Sequence, residues 1–312
     1  MSRKATIVMY HYVRDLEHSR FPAIKGLSLN RFRRQLDHIQ EHFTPICIED
    51  ILEGLSDPAK ELPPSAILLT FDDGYIDHFE NVFPLLDAKG IRACFFPSAQ
   101  AVLEHKVLDV NKIQFVLAAA QSPCSLLEEV FSCIDEFRAE YRLQSKEAYS
   151  SAIVNQHRYD PREVTVIKRL LQRELPGPVR REIVQRLFER YVSIDEAAFA
   201  SDLYMSEDQI ACLYRHGMHI GSHGFSHVWL NEISQGEQAM ELDHSLDFMT
   251  NLGVTSRDWT MCYPYGGFDD SLLQMARERG CRAGFTVEPR IADLDLDDSL
   301  TLPRIDTNDL PS

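Results

Sequence analysis

The sequence is short of positive charge. Its 32 lysines and arginines face 48 aspartates and glutamates, which gives a formal net charge of −16 at pH 7, and no long basic run offsets this excess. Nucleic acid and anionic membrane surfaces are therefore poor general partners for the chain. A local basic pocket for an anionic ligand, such as a nucleotide-sugar, remains compatible with this composition.

Long apolar segments are also missing. The N-terminal residues lack the apolar core of about 7–15 residues that marks a signal peptide. No stretch approaches the roughly 20 apolar residues of a membrane-spanning helix. We therefore expect a cytoplasmic location without a membrane span. The seven cysteines are scattered and contain no Cys-x-x-Cys pair, so we expect reduced core cysteines rather than a disulfide framework.

Short β-branched runs alternate with amphipathic segments along most of the 312 residues. This alternation predicts an α/β fold with parallel strands and crossover helices. Seven or eight such units favour a barrel, and a doubly wound open sheet is the alternative. The predicted strands are residues 6–10, 44–48, 66–71, 92–97, 218–221, 260–263, 282–287 and 300–304. The predicted helices are residues 29–42, 77–89, 206–216, 234–252 and 269–279.

One long region has no strand pattern. Residues 109–202 contain only helical segments, and a Pro-Gly-Pro sequence at 176–178 separates the last two. We therefore predict a barrel made of residues 1–108 and 203–312, interrupted by a helical insertion. The insertion can serve as a lid over the site, as a surface for homo-oligomer formation or as a packing element.

Two adjacent carboxylates follow the third predicted strand. The apolar run of residues 66–71 leads directly into Asp72, Asp73 and Gly74. At the C-terminal end of a parallel strand, such acids point into the mouth where barrel sites are built. Since adjacent residues leave a strand end in different directions, one carboxylate can bind a metal while the other faces water. The alternative is a turn in which an aspartate caps the next helix.

Two imidazoles follow the predicted strand of residues 218–221. His223 and His227 are four residues apart, a spacing that brings both rings to one face of a helical turn. Such a pair is often an accident of a surface helix. Here, however, glycines and serines surround both histidines in a strand-to-helix loop. Two histidines and one carboxylate form a three-ligand metal site with an open position for water.

Three further segments end at the same side of the predicted barrel. The turn that contains Pro264 and Tyr265 can present a backbone N–H to a developing oxyanion, although an ordinary turn explains it equally well. His11 ends the first strand, where a histidine has either a structural or a catalytic role. The final short strand offers Arg304 and Asp306 at its end.

With these motifs assembled, the chain resembles the polysaccharide deacetylase family, carbohydrate esterase family four. The matching motifs are Thr-Phe-Asp-Asp-Gly-Tyr at 70–75, Ser-His-Gly-Phe-Ser-His at 222–227 and Tyr-Pro-Tyr-Gly at 263–266. The resemblance covers roughly residues 5–100 and 205–306, and it implies a distorted (β/α)7-type barrel. It also implies a divalent ion and hydrolysis of an acetamide on a sugar, or less often of an acetyl ester or a cyclic amide. Zn²⁺ is expected first, with Co²⁺, Ni²⁺, Fe²⁺ and Mn²⁺ as alternatives.

The resemblance further implies roles for individual residues. The residues that match the metal ligands are Asp73, His223 and His227. Asp72 matches the general base that activates water. Pro264 and Tyr265 match the substrate-binding turn, in which the backbone amide of Tyr265 helps to hold the oxyanion.

The chain departs from the family pattern at two positions. The third motif normally has an arginine, which orients the base, where this chain has Cys262, and Arg304 is the candidate replacement. The usual C-terminal histidine acid is also absent, because no histidine follows His244. The opening Met-Tyr-His-Tyr resembles a branch of the family whose N-terminal strand supplies a histidine, so His11 is the candidate general acid.

We therefore expect a metal-dependent hydrolase that releases acetate from an N-acetylated amino sugar. The expected location favours a nucleotide- or lipid-linked sugar or a short oligosaccharide. One alternative is an amidohydrolase that acts on a non-sugar cyclic amide or ureide. The other is a non-catalytic carbohydrate-binding protein, in which we would expect substituted ligands. Intact Asp73, His223 and His227 favour the metal-dependent enzyme.

Overall fold

The computed structural model describes residues 3–153, 160–254 and 259–311. The chain divides into two compact units. One unit, here called the barrel, comprises Met1–Asp15, Gly26–Lys106 and Ala200–Ser312. The other, here called the helical unit, comprises Leu16–Lys25 and Val107–Phe199. We expected Leu16–Lys25 in the barrel, but this segment groups with the helical unit.

All described strands lie in the barrel. They are β1 (Lys4–Tyr10), β2 (Val13–Arg14), β3 (Leu27–Ser28), β4 (Thr44–Pro45), β5 (Ala66–Asp73), β6 (Cys94–Pro97), β7 (His219–Ile220), β8 (Thr260–Cys262), β9 (Ala283–Phe285), β10 (Ala292–Asp293) and β11 (Ile305–Asp306).

The strand pairings run around a ring of parallel neighbours and return to β1. β1 pairs with β5, β5 with β6, and β6 with β7. A bridge between Ser222 and Met261 leads on to β8, which pairs with β9. A bridge between Phe285 and Leu302 then leads to β11, which pairs with β1. The predicted parallel α/β barrel is confirmed, and the open-sheet alternative is wrong.

The helices are α1 (Leu29–His42), α2 (Ile48–Ser56), α3 (Phe83–Ala88), α4 (Ala99–Leu103), α5 (Asp109–Ala119), α6 (Pro123–Tyr141), α7 (Lys146–Ala152), α8 (Arg162–Arg169), α9 (Gly177–Tyr191), α10 (Glu196–Leu203), α11 (Glu207–Arg215), α12 (Gln235–Asn251) and α13 (Asp270–Glu278). A π-helical turn, His78–Val82, precedes α3, and a second one, Leu170–Glu174, follows α8. No helix among the described residues combines the length and the apolar character that a membrane crossing requires.

The pleat of β5 explains how the barrel positions its polar residues. Successive side chains of a strand point to opposite faces. Ile67, Leu69 and Phe71 pack in the cluster that includes the surrounding helices. Ala66 and Leu68 pack in a second cluster, together with residues of β1, β6 and β9. Continuing that alternation, Thr70 and Asp72 lie on the interior side, at the C-terminal end of the strand.

Two predicted strands are wrong in their bounds. The strand predicted over residues 44–48 ends at Pro45, because α2 begins at Ile48 and the Asp50 side chain accepts a hydrogen bond from the Cys47 backbone N–H (3.0 Å). The strand predicted over residues 300–304 is only a bridge at Leu302, and β11 begins at Ile305. Pro303 intervenes and has no N–H for a ladder.

The helical unit has a core of its own. Four phenylalanine rings pack edge to face, with centroids 4.9–6.0 Å apart. These are Phe21, Phe115, Phe188 and Phe199. Beside them, the buried Lys112 ammonium pairs with Glu196 at 2.8 Å. The three roles considered for the insertion, as a lid, an oligomerisation surface or a packing element, all stay predictions.

Candidate metal centre

Three buried side chains converge at the C-terminal ends of the barrel strands. Asp73, His223 and His227 each offer one ligand atom, and these atoms lie within 4.8 Å of one another. The Nε2 atoms of His223 and His227 lie 3.3 and 3.2 Å from Oδ1 of Asp73. Asp73 lies 150 positions before His223 in the sequence, and the fold brings the aspartate and the two histidines together.

The spacing of these atoms fits a divalent ion. Tetrahedral zinc with ligands at about 2.0–2.2 Å separates its ligand atoms by about 3.3–3.6 Å. The Oδ1 atom of Asp73 is buried and has no hydrogen-bond partner in the protein, although buried polar atoms are rarely left unsatisfied. A carboxylate oxygen and two imidazole nitrogens are also a usual zinc donor set. These residues can therefore hold such an ion.

Neighbouring groups orient the ligands. The Nδ1–H of His223 donates to the carbonyl oxygen of Cys262 at 2.9 Å, which leaves the Nε2 lone pair facing Asp73. The Tyr75 hydroxyl donates to Oδ2 of Asp73. Burial alone would raise the pKa of Asp73, but the nearby His223 and His227 outweigh burial and hold that pKa well below its ordinary value. Asp73 is therefore a charged carboxylate.

The two histidines lie in an irregular loop of residues 222–228, here called the histidine loop. The loop contains no helical turn, because Gly224 (φ 70°) and His227 (φ 55°) have left-handed backbone conformations. Side-chain contacts rather than helical periodicity therefore set the ring positions. The two ring centroids lie 4.9 Å apart.

The Glu241 carboxylate, on α12, anchors this loop. It accepts hydrogen bonds from the backbone N–H groups of Phe225 (2.8 Å) and Ser226 (2.9 Å), and also from the Ser226 hydroxyl. On the other side, the Ser98 hydroxyl and the Gln100 backbone N–H both donate to the Phe225 carbonyl at 2.9 Å. The loop is thus held from two sides between its two histidines.

Sequence reasoning missed Glu241. The sequence does contain a signal, because Gln238, Glu241 and Ser245 are polar residues spaced along one face of a helix. The structure shows that all three are buried. Polar groups at buried positions of a helix need partners. The sequence alone does not show what those partners are.

Arg304 lies against Asp72. Its Nη1 and Nη2 donate to the two carboxylate oxygens of Asp72, each at 2.8 Å. The remaining donors reach the Thr70 hydroxyl and the Thr286 carbonyl, both at 3.0 Å. Burial tends to raise the pKa of Asp72, but the Arg304 guanidinium and then His223 lower it to about 2. Asp72 is consequently a buried, charged carboxylate in a fixed orientation.

Cys262 lies beside this ion pair. Its thiol is fully buried and close to both Asp72 and Arg304, and burial raises its pKa well above the ordinary value. The position where the motif normally carries an arginine is thus next to the guanidinium that enters from the segment before β11. The role of Arg304 as a replacement for that arginine stays a prediction.

His11 follows β1 and lies within electrostatic reach of the site, since it lowers the pKa of both Asp72 and Asp73. Its backbone carbonyl accepts a hydrogen bond from Nε2 of His78 at 2.9 Å. His78 is fully buried, and burial lowers its pKa to about 4. This neutral imidazole, which the sequence placed only within a helix, fixes the backbone at His11.

The third motif forms a tight turn at Pro264–Gly266. Tyr265 (φ 58°) and Gly266 (φ 74°) both have left-handed conformations. The Tyr265 ring stands edge-on to His227, with centroids 4.8 Å apart. Since Asp73 (φ 70°) and His227 (φ 55°) also have positive φ, strained backbone gathers at this site, as is common at functional sites.

A model of the polysaccharide deacetylase family matches residues 59–126 and 183–284, together more than half of the chain. The chain belongs to the polysaccharide deacetylase family. The matched residues include both aspartates of the site and the histidine loop, whereas His11 and Arg304 lie outside them. A relative from Bacillus subtilis (strain 168), the polysaccharide deacetylase homologue YxkH, is 28% identical over 92 residues. That match covers 30% of this chain and only 33% of YxkH.

Solved structures share the fold of this polysaccharide deacetylase family member. The Streptococcus pyogenes deacetylase PplD, solved in complex with acetate, has a TM-score of 0.57 and 17% identity over 97% of this chain and 92% of PplD. IcaB from Ammonifex degensii has a TM-score of 0.56 and 16% identity over 97% of this chain and 91% of IcaB. At these identities the likeness shows the distorted barrel fold that the sequence predicted.

Proposed function

We propose that this protein is a metal-dependent hydrolase that removes the acetyl group from an N-acetylated amino sugar and releases acetate. The observation that carries the proposal is the pairing of two adjacent carboxylates with different surroundings. Asp73 faces two imidazole nitrogens at 3.2 and 3.3 Å, while Asp72 is held charged by Arg304. One carboxylate is thus suited to a metal and its neighbour to a base. Membership of the polysaccharide deacetylase family supports this proposal.

Asp73, His223 and His227 would hold the divalent ion. We propose Zn²⁺, with Co²⁺, Ni²⁺, Fe²⁺ and Mn²⁺ as alternatives. When bound, such an ion supplies Lewis acidity, which acidifies water and polarises a carbonyl group.

The chain's own side chains supply the proton transfers. Asp72 takes a proton from the attacking water as the water oxygen bonds to the acetyl carbon. Arg304 keeps the Asp72 carboxylate charged and oriented for this step. His11 gives a proton to the nitrogen as the carbon–nitrogen bond breaks, so that acetate and a free amine result.

The turn at Pro264–Gly266 acts on the acyl oxygen. We propose that the Tyr265 backbone N–H donates a hydrogen bond to the oxyanion that develops there, with Pro264 fixing the turn. A preorganised donor of this kind is most effective in a site that excludes water. The strained Tyr265 backbone (φ 58°) is consistent with a position selected for function.

Nucleotide-linked sugars, lipid-linked sugars and short oligosaccharides are all proposed substrates within this class. A panel assay for acetate release, with and without chelator, tests the proposal. We expect chelator to abolish release and added Zn²⁺ to restore it, with about one ion per chain by metal analysis. Release that is unaffected by chelator, or hydrolysis confined to cyclic amides and ureides, would contradict the proposal.

A further inference from the structure

A pair of stacked aromatic rings lies next to the metal ligands and has no role in the steps above. The Tyr265 ring is edge-on to His227. The Trp229 indole lies parallel to the Tyr265 ring, with centroids 4.7 Å apart and planes 6° apart. Both Trp229 and Tyr265 are half-buried. The other tryptophan, Trp259, is only 2% exposed.

The indole is held in a fixed position. Tyr265 supports one of its faces, and a side chain on Gly267 would come within 3.2 Å of the indole Cε3 atom. Gly267 therefore lets the turn approach the indole edge closely. Val287, which is 43% exposed, continues the apolar surface next to Gly266. A preformed apolar surface binds a ligand without the cost of ordering its own side chains.

We propose that Trp229, backed by Tyr265, is a stacking surface for a pyranose ring next to the N-acetylated unit of an oligosaccharide substrate. This inference rests on the proposed function, because the acetyl group must lie at the metal ligands. The Tyr265 ring contacts His227, and the Trp229 indole contacts the Tyr265 ring in turn. On this proposal the indole, which is one ring further from the metal ligands, meets a part of the substrate beyond the acetyl group.

The face of the Trp229 indole and the face of a pyranose ring are chemically complementary. A pyranose ring presents C–H bonds on its faces, and these pack against the electron-rich face of an aromatic ring. The site therefore favours an oligosaccharide over an N-acetylated monosaccharide, which cannot occupy both positions. A nucleotide base can also stack on an indole, so nucleotide-linked sugars form a separate arm of the test.

Kinetics separate a binding role from a structural one. We expect Trp229→Ala to raise KM for an N-acetylated trisaccharide about tenfold, with kcat unchanged and with no effect on the N-acetylated monosaccharide. Trp229→Phe should restore much of the loss, because phenylalanine keeps an aromatic face. An equal loss on both substrates, or a fall in kcat alone, would overturn the proposal.

Fluorescence tests binding without catalysis. Trp259 is buried and donates to the Arg279 carbonyl at 2.8 Å, so the half-buried Trp229 is the tryptophan that responds to a ligand. The experiment titrates the metal-loaded protein with the fully de-N-acetylated trisaccharide, which has no acetyl group left to lose. A saturable change in the wild type that disappears in Trp229→Phe supports the stacking surface.

The outcomes distinguish this inference from the proposed function. Saturable binding without acetate release from any acetylated sugar refutes the function but leaves the stacking surface standing. Acetate release together with wild-type trisaccharide binding by Trp229→Ala refutes the stacking surface alone. A fluorescence response to nucleotide-linked sugars but not to the trisaccharide also refutes it.

Discussion

The two sides of the proposed metal site are built in different ways. The aspartates belong to β5, whose backbone pairs with β1 on one side and β6 on the other. The histidines belong to a loop without regular structure, which the Glu241 carboxylate and the Ser98 hydroxyl hold in place. One side is positioned by strand register, the other by side-chain hydrogen bonds.

This difference shows where precision in the site comes from. A strand with a neighbour on each side has its backbone polar groups satisfied by the ladder, so its backbone needs no side chain to hold it. The histidine loop has no ladder for the backbone of Phe225 and Ser226, so side chains must supply the partners. We therefore expect mutations near the loop to change metal affinity, whereas the strand side affects the chemistry through Asp72 and metal binding through Asp73.

The largest expected effect is on the strand side. Asp72→Asn should lower kcat for acetate release by about 10²–10⁴-fold, because it removes the base. Metal content should stay near that of the wild type, since Asp73 is the proposed ligand. The neighbouring Asp73→Asn is the matched comparison and should lose the metal. Equal metal loss in both variants would contradict the assignment of Asp72 as the base and Asp73 as the metal ligand.

Arg304→Met should have the next largest effect, on stability. Removing one partner of a buried ion pair costs about 3–5 kcal/mol. Asp72 has a depressed pKa of about 2, so its contribution to stability is present above the unfolded value of about 3.9 and is lost as pH falls towards about 2. Without Arg304, burial raises the pKa of Asp72 above the unfolded value, so the sign reverses and the variant loses stability as pH rises through about 3.9.

Denaturant unfolding of the metal-free protein over a range of pH measures this effect. Arg290→Met is the control, because Arg290 is 42% exposed and pairs with Asp297 and Glu288 at the surface. Its free energy of unfolding should change by no more than about 1 kcal/mol. If Arg304→Met and Arg290→Met showed the same free energy of unfolding at each pH, Arg304 would not be the group that sets the charge of Asp72.

The strand side was largely predictable from sequence. An apolar run that ends in two acids and a glycine gives the strand, its direction and the position of Asp72 and Asp73 at its end. The parallel barrel followed from regular alternation of strands and helices. The salt bridge from Arg304 was predicted only as a replacement for a missing motif residue, because a contact across 232 positions has no local signature.

The loop side was predictable in its residues but not in its geometry. The spacing of His223 and His227 and the loop around them indicated a metal pair, but a helical spacing does not describe how the two rings are brought together. Positive φ at His227 reflects tertiary contacts, which no local propensity encodes. Glu241 and His78 act on the backbone of other segments, and a sequence shows such partners only as buried polar residues within helices.

Glu241→Gln should weaken metal binding by about 10–100-fold, as is usual when a residue that supports a ligand is changed. The amide keeps the shape of the carboxylate but loses its charge and one acceptor oxygen. Competition with a chelator measures the affinity. Glu237→Gln on the same helix is the control, because Glu237 only caps α12 together with Ser234 and glutamine caps equally well. Unchanged affinity in Glu241→Gln would show that the loop does not depend on this carboxylate.

Ser98→Ala should have the smallest effect. It removes one of two donors to the Phe225 carbonyl, and the Gln100 N–H remains, so the cost is about 0.5–1.5 kcal/mol. Metal affinity should therefore fall by no more than about tenfold. In the double mutant with Glu241→Gln, the two losses of metal affinity should not add. Both residues hold the same stretch of backbone, and residues that share a partner are coupled. Strict additivity in the double mutant would mean that the two sides of the loop move independently, and that the histidines are positioned by something other than this pair of contacts.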